Sequence, residues 1–246
     1  LLTDSSGPDA YVTSRDGEDL IFWNTGNAAS LRVAGWFQEN GEGAGKVLKY
    51  ANGTPWVQPL ERAGTAADDY LIGNDDRDSI SGSDGDDHVW SQGANDFVSG
   101  GNGSDYLSGG EGADVLYGDD GFDRLHGDAG NDVLMAGPGG GRLQGGMGND
   151  IYLFNRGDGL VQIDQRIAGE GDPSASDYAS AADQDVVRLG AGISVDDVDV
   201  SYDPNSATLR LQIKGTDDVL EMAGVRANWD PNYTRPVARY EFADGS

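Results

Sequence analysis

The chain has 246 residues, of which 43 are acidic and 16 are basic, so its formal net charge is −27. This charge argues against nucleic acid and anionic membrane surfaces as partners, because both bind through clusters of Lys and Arg. The chain has no Cys, which excludes disulfides and thiolate metal sites. It also has no apolar run of the roughly 18 residues that a membrane span needs.

Residues 1–60 repeat sequence patterns from the other end of the chain. The segment 19–22 (Asp-Leu-Ile-Phe) matches 208–211 (Thr-Leu-Arg-Leu), the segment 30–35 matches 219–224, and a third match joins 49–54 with 241–246. We therefore expect residues 1–60 to be a β-segment, the tail of an upstream copy of the C-terminal segment, that forms an N-terminal cap. Its Trp36 and Trp56 are candidate glycan contacts, and packing in the cap is the simpler interpretation of both.

A nine-residue repeat follows, and its two fixed features are an Asp and an apolar residue two positions later. One slot of the Asp series, Gly141, lacks the carboxylate. The Asp residues are Asp69, Asp78, Asp87, Asp96, Asp105, Asp114, Asp123, Asp132 and Asp150. The apolar residues are Leu71, Ile80, Val89, Val98, Leu107, Leu116, Leu125, Leu134, Leu143 and Tyr152. A disordered acidic chain would not keep both features in phase, so the repeat predicts an ordered fold.

Each repeat is long enough for one turn and one very short strand. Gly is usual five and two residues before each Asp, where it permits tight turns. The apolar residue alone then faces inward, and neighbours such as Ser108 and Tyr117 face outward. Two repeats make one coil with a strand on each side, and coils stack in parallel. The predicted fold is all-β: a parallel β-roll (right-handed β-helix) over residues 61–158, capped at both ends by antiparallel β-segments.

The repeat pattern G-G-x-G-x-D-x-U-x, where U is a large apolar residue, is the signature of calcium-binding RTX repeats. The segments 100–105 (Gly-Gly-Asn-Gly-Ser-Asp) and 109–114 (Gly-Gly-Glu-Gly-Ala-Asp) match it most cleanly. Through these repeats the chain resembles the RTX (haemolysin-type) calcium-binding family. The resemblance implies Ca²⁺ held between consecutive loops on one edge of the roll, and type I secretion from a Gram-negative cell.

Chemistry also favours a hard cation. All available ligands are oxygens, and irregular carbonyl cages suit Ca²⁺ better than Mg²⁺; we expect roughly six ions. Carboxylates stacked along each edge would repel one another without a counter-ion. The expected ligands are the nine repeat Asp residues together with Gly82, Asp84, Gly85, Gly100, Gly101, Asn102, Gly103, Gly109, Gly110, Glu111, Gly112, Gly118, Asp119, Asp120, Gly121, Gly127, Asp128, Ala129, Gly130, Gly145, Gly146 and Gly148.

The loops differ in how completely they keep the Gly and Asp positions of the calcium-binding pattern. Ala67, Asp76 and Ala94 replace the Gly two residues before the Asp in loops 64–69, 73–78 and 91–96, and the row Asp69/Asp87/Asp105/Asp123 ends at Gly141. The strongest sites are therefore predicted between loops 82–87 and 100–105, 100–105 and 118–123, 109–114 and 127–132, and 127–132 and 145–150.

Residues 159–246 lose the nine-residue period. Alternating segments at 186–189, 198–202, 209–213, 220–222 and 240–242 are typical of antiparallel strands, which predicts an antiparallel β C-terminal cap. Such a cap would protect the open end of a coil stack and give the roll a preformed edge on which to grow.

The most direct functional hypothesis is a calcium-binding module of a large secreted bacterial protein, located extracellularly or at the cell surface, that folds and stiffens on export. Its partners would be calcium ions and neighbouring modules of the same polypeptide. A polysaccharide-binding module, attached to an exoenzyme or adhesin and contacting a glycan or cell-surface ligand, is the alternative. We expect no enzyme activity, because the sequence contains neither an H-E-x-x-H nor a G-x-S-x-G motif.

Overall fold

The computed structural model describes residues 11–16, 19–24, 29–33, 60–164, 184–223 and 239–243, and up to residue 61 it describes the backbone alone. Within these ranges the backbone forms β-strands and turns, with one 3₁₀ turn at Val195–Asp197. No helix in this part of the chain is long and apolar enough to cross a membrane. The all-β class predicted from the sequence is confirmed.

The strands are short, as the repeat requires. In chain order they are β1 (Tyr11–Asp16), β2 (Asp19–Asn24), β3 (Ala29–Val33), β4 (Leu60–Ala63), β5 (Tyr70–Asn74), β6 (Asp78–Asp84), β7 (His88–Gln92), β8 (Phe97–Asn102), β9 (Tyr106–Glu111), β10 (Val115–Asp120), β11 (Asp123–Ala129), β12 (Val133–Met135), β13 (Gly141–Met147), β14 (Ile151–Phe154), β15 (Leu160–Ile163), β16 (Val186–Leu189), β17 (Val198–Asp203), β18 (Thr208–Ile213), β19 (Val219–Met222) and β20 (Arg239–Phe242).

These strands form three sheets. The first contains β1, β2 and β3. The second, which we call the eight-stranded sheet, has the order β20-β16-β14-β12-β10-β8-β6-β4, and the third, the nine-stranded sheet, has the order β17-β18-β19-β15-β13-β11-β9-β7-β5. Successive strands from β4 to β15 alternate between the two larger sheets, so two repeats complete one coil.

Neighbouring strands of the roll run parallel and are offset by two repeats. Ile80 pairs with Val98 in the eight-stranded sheet, and Val89 pairs with Leu107 in the nine-stranded sheet. This confirms the parallel β-roll, because an offset of two repeats is what one coil with a strand on each side requires.

The apolar residue of each repeat lies between the two sheets. Nine of them form one core cluster at 0–1% exposure: Ile80, Val89, Val98, Leu107, Leu116, Leu125, Leu134, Leu143 and Tyr152. The first of the series, Leu71, is only partly buried and packs against the cluster. Burying one such side chain contributes about 1.5–3 kcal/mol, so this column is the main apolar stabilisation of the roll. The predicted inward position is confirmed.

The inward column does not account for all of the buried apolar residues. A second set of apolar residues is buried on the outer face of the eight-stranded sheet, and Tyr117 packs partly against it. In this sheet the residue after the Asp is apolar in successive coils, whereas in the nine-stranded sheet it is Tyr, His or Arg. We call this set the outer cluster; its members are Phe97, Val115, Val133, Met135 and Ile151.

The C-terminal strands lie where the sequence predicts, but only some of them pair in the antiparallel way that the sequence predicts. β16 and β20 extend the eight-stranded sheet in parallel, and β15 and β19 do the same for the nine-stranded sheet. Antiparallel pairing joins β17 to β18 and β18 to β19. Parallel pairing continues because Val187 and Ile163 take up the inward positions after the period is lost. The boundaries predicted at residues 60 and 158 stay predictions.

The N-terminal strands repeat the register of the C-terminal ones. In the first sheet Leu20 pairs with Val33 and Phe22 pairs with Leu31. The matching residues near the C-terminus pair in the same way, Leu209 with Met222 and Leu211 with Leu220. The duplication seen in the sequence therefore extends to strand pairing in residues 11–33. The third match, at 49–54, lies outside the described residues, as do Trp36 and Trp56.

Candidate metal centre

The repeat Asp residues form two buried rows, one on each edge of the roll. Eight of the nine Asp side chains are 0–2% exposed, and the ninth, Asp69, is partly buried. In each row the backbone N–H of one Asp donates to Oδ1 of the Asp eighteen residues later, at 2.7–2.9 Å. One carboxylate oxygen of each such residue therefore links two coils. The carboxylates do not simply face one another across the coil spacing, as the sequence argument assumed.

The second carboxylate oxygen has a different environment in the central loops. Among the described residues no hydrogen-bond donor reaches Oδ2 of Asp87, Asp105, Asp114, Asp123 or Asp132, although each of these atoms is buried. A buried carboxylate oxygen without a partner is strongly unfavourable. The repeat thus places one uncompensated, electron-rich oxygen in each of these loops.

A backbone carbonyl from the next coil lies beside each of these oxygens, over the first Gly of the loop. A Cβ placed on Gly100 would lie 2.2 Å from Oδ2 of Asp105 and 2.7 Å from the carbonyl oxygen of Gly118. On the other edge a Cβ on Gly109 would lie 2.4 Å from Oδ2 of Asp114 and 2.9 Å from the Gly127 carbonyl oxygen. Gly is needed here because any side chain would fill the space where the two oxygens converge.

The Gly two residues before the Asp is required for a separate reason. Gly103 and Gly121 have φ of +143° and +142°, which L side chains rarely adopt. A Cβ on Gly121 would also lie 1.5 Å from the carbonyl oxygen of Gly103 in the preceding coil. These glycines bring the loops of successive coils into direct backbone contact, which aligns the carbonyl oxygens along each edge.

Several predicted ligands contribute no side chain to this arrangement. Asp119 and Asp128 each accept a hydrogen bond at 2.5 Å from a serine hydroxyl of the neighbouring strand, Ser99 and Ser108 respectively. The side chains of Asp84, Asn102, Glu111 and Asp120 are exposed. Within the described ranges no three His, Asp or Glu side chains come close enough to hold a metal ion. The available donor set is therefore a single carboxylate oxygen and backbone carbonyl oxygens.

The first two loops differ from the later ones. Oδ2 of Asp69 accepts hydrogen bonds from the backbone N–H of Thr65 at 2.6 Å and from its hydroxyl at 2.9 Å. Oδ2 of Asp78 accepts one from the backbone N–H of Asn74 at 2.7 Å. In these loops the chain itself satisfies the oxygen that the central loops leave open.

One row continues beyond the repeat array, which the sequence analysis missed. Asp150 donates its backbone N–H to Oδ1 of Asp185 at 2.9 Å, across 35 residues instead of 18. A signal was present, since Asp185-Val186-Val187 keeps the order Asp, any residue, apolar residue, but it falls outside the nine-residue phase. On the other edge Gly141 supplies no carboxylate, so the row of Asp123 ends there.

Burial dominates the electrostatics of the rows. Loss of water raises the pKa of Asp96 to about 9, that of Asp123 to about 7 and that of Asp105 to about 6. Neighbouring carboxylates of the same row raise these pKa values further, but by less. Desolvation therefore raises these pKa values more than the repulsion between carboxylates that the sequence predicts. Both effects favour a cation beside the carboxylates.

Comparison with known proteins agrees with the geometry over the array. The segments 63–98, 90–125, 108–143 and 126–161 match the family model of the RTX calcium-binding nonapeptide repeat. No curated protein is significantly similar to the chain. A crystal structure of the extracellular lipase LipA from Serratia marcescens is similar, with 17% identity and a TM-score of 0.25, over 75% of this chain and 41% of the lipase. The chain thus spans less than half the length of that lipase.

Proposed function

Because residues 63–161 are RTX calcium-binding nonapeptide repeats, we propose that the chain is a calcium-dependent folding module of a larger secreted protein. The observation that carries this proposal is the buried Oδ2 beside a carbonyl oxygen, repeated along both edges of the roll. Hard oxygen donors in an irregular loop are the ligands that Ca²⁺ prefers.

The buried Oδ2 atoms and the neighbouring carbonyl oxygens support an assignment of the residues that would hold the ions. On one edge they are Asp87, Asp105 and Asp123, and on the other Asp114 and Asp132, each with carbonyl oxygens of the adjacent loops. A bound Ca²⁺ supplies the positive charge that compensates the desolvated carboxylates. Each Asp then holds two coils together through its Oδ1, while its loop glycines keep the carbonyl oxygens in place.

Calcium would control folding because the stacking of one coil on the next is what buries the carboxylates. Without the ion, each added coil brings another desolvated negative charge into a row, which opposes stacking. With each site filled tenfold above its Kd, one ion adds about 1.4 kcal/mol, so several ions supply a stability comparable to that of a domain. In a compartment with little free calcium the roll would stay open and exportable, and it would fold and stiffen outside the cell.

In this proposal the module has no catalytic centre of its own. Any enzymatic activity belongs to other parts of the polypeptide, and the module supplies folding and rigidity after export.

Circular dichroism of the full chain tests the proposal. We expect the β-sheet signal to be weak in EDTA and to rise cooperatively with calcium, and Mg²⁺ to be far less effective because it demands a stricter octahedral site. Asp114→Asn should shift the calcium midpoint upward, since it removes the charge of a buried carboxylate. Asp217→Asn, the same change at an exposed site outside the array, should not. A spectrum that is identical in EDTA and in calcium would contradict the proposal.

A further inference from the structure

The outer cluster is buried although it lies outside the roll. Phe97 is 9% exposed, Val115 and Val133 are 0% exposed, and Met135 and Ile151 are 7% exposed. The corresponding face of the nine-stranded sheet is more exposed: directly after the repeat Asp position, Tyr70 is 72% exposed, Arg124 and Arg142 are exposed, and His88 and Tyr106 are partly buried. The coil geometry therefore does not shield an outer face by itself, and the outer cluster requires a covering element.

Strand β1 lies beside the sheet that carries this cluster. Its Cα atoms come within 8 Å of β6 and of β8. Among the described strands, β1, β2 and β3 share no hydrogen-bonded pairing with either sheet of the roll. The N-terminal sheet therefore lies against a face of the eight-stranded sheet and does not extend its edge.

The register of the N-terminal sheet identifies the face that corresponds to the buried face of its C-terminal copy. Residues directly opposite one another in antiparallel strands share a face, so Leu20, Phe22, Leu31 and Val33 belong to the same side of this sheet. In the C-terminal copy the matching residues are part of the interior core cluster or pack against it: Leu209, Leu211, Leu220 and Met222. The duplicated sheet thus has a face suited to burial against apolar side chains.

We propose that residues 11–33 dock on the outer cluster through this face, as an intramolecular clamp across several coils. Phe97, Val115, Val133 and Ile151 come from four successive strands of one sheet, so the docking surface exists only when the coils are stacked. The calcium dependence of this docking rests on the proposed function. The occupant is this chain's own N-terminal sheet because β1 approaches two strands of this sheet, β6 and β8, and β8 carries Phe97 of the outer cluster.

Hydrogen exchange on the full chain in saturating calcium tests the docking. We expect amides in residues 11–33 to be protected together with those of β8 to β14. The double variant Val115→Thr with Val133→Thr keeps side-chain shape and strand propensity but places hydroxyl groups in the docking surface. Protection at 11–33 should fall at least tenfold in this variant, while the roll stays protected and the calcium midpoint stays within twofold. Arg124→Thr, at the same repeat position on the nine-stranded sheet, should leave both regions unchanged.

Other outcomes separate the alternatives. Unchanged protection of residues 11–33 in the double variant would overturn the docking. Protection that grows with protein concentration would also overturn it, in favour of contact between two copies. Hydrogen exchange can report docking wherever the roll is protected, so the unmodified chain and both variants are also measured in EDTA. A roll that is protected in EDTA contradicts the proposed function, and the same pair of variants still decides the docking.

Discussion

The loops at 64–69 and 73–78 and the loops from residue 82 onward obey the same repeat but use their Asp residues differently. In the first two, a backbone N–H within the loop satisfies Oδ2 of Asp69 and of Asp78. In the central loops, as at Asp105 and Asp114, that oxygen is buried and lacks a donor among the described residues. A loop can therefore keep the Asp and the apolar residue, and so fold as part of the roll, while its Oδ2 is no longer open to a cation; at Asp78 the buried oxygen without a donor among the described residues is Oδ1 instead.

The largest expected difference between the two regions concerns the core. Leu107→Asp should abolish folding even in saturating calcium, because burying an unpaired carboxylate in so thin a core costs several kcal/mol. Leu71→Asp, in the first coil, should cost only about 1 kcal/mol, since Leu71 is partly exposed. Urea unfolding of both variants in calcium measures the difference. Equal losses would show that the first coil is as tightly packed as the centre.

Calcium affinity should show the next largest difference. Asp105→Asn removes a charge from an open site and is expected to raise the calcium midpoint about tenfold, equivalent to about 1.4 kcal/mol. Asp69→Asn changes an oxygen that Thr65 already satisfies, so its midpoint should move less than twofold. Isothermal titration calorimetry would also count the bound ions. We expect the number to fall in the Asp105 variant and to stay unchanged in the Asp69 variant. A similar shift of the calcium midpoint in both variants would show that the first loop and the central loops bind calcium alike.

The central carboxylates also predict how stability depends on pH. The folded pKa values of Asp96, Asp123 and Asp105 lie above the unfolded value near 3.9, so the folded roll holds more protons between that value and about pH 9. Metal-free stability must then decrease as pH rises through this window, whereas calcium affinity increases because protons compete with the ion. Circular dichroism in EDTA should show more β-structure at pH 5 than at pH 8. A metal-free signal that grows with pH would contradict the burial of these groups.

The smallest expected difference is in the stability change caused by replacing either of two alanines, which occupy equivalent positions in two loops that lack the usual Gly. Ala94 has φ of +70°, whereas Ala67 is not in the left-handed region. Ala94→Gly should therefore relieve strain and stabilise the roll by about 0.5–1 kcal/mol, while Ala67→Gly should be neutral or slightly destabilising. Thermal unfolding in calcium would measure both. Stabilisation by Ala67→Gly would show that loop 64–69 is as strained as loop 91–96.

The period of nine predicted the roll, its parallel pairing and the inward column through Leu107, because periodicity determines which side chains share a face. The glycine positions also singled out loops 64–69 and 73–78, in which Oδ2 of the Asp accepts a hydrogen bond; weak calcium binding by these loops stays a prediction. The sequence did not reveal how Asp69 differs from Asp105 at Oδ2, because that depends on whether one backbone N–H turns toward the carboxylate. Parallel pairing of β16 was missed since the insertion before Asp185 breaks the period.

The outer cluster could have been recognised from the sequence. Phe97, Val115, Val133 and Ile151 recur every eighteen residues, which places them all on one sheet. The motif by itself does not distinguish alternate repeats, so treating every residue after the Asp alike concealed this second period.

The unequal length of the two carboxylate rows has a mechanical consequence. One edge carries links from Asp78 through Asp96, Asp114, Asp132 and Asp150 to Asp185, whereas on the other edge the links run from Asp69 to Asp123, stop at Gly141 and resume between Gly159 and Asp218. A tensile load applied along the stack would meet more resistance on the first edge than on the second. Rupture would then begin beside Gly141, and the coils would hinge open on the longer row before they separate.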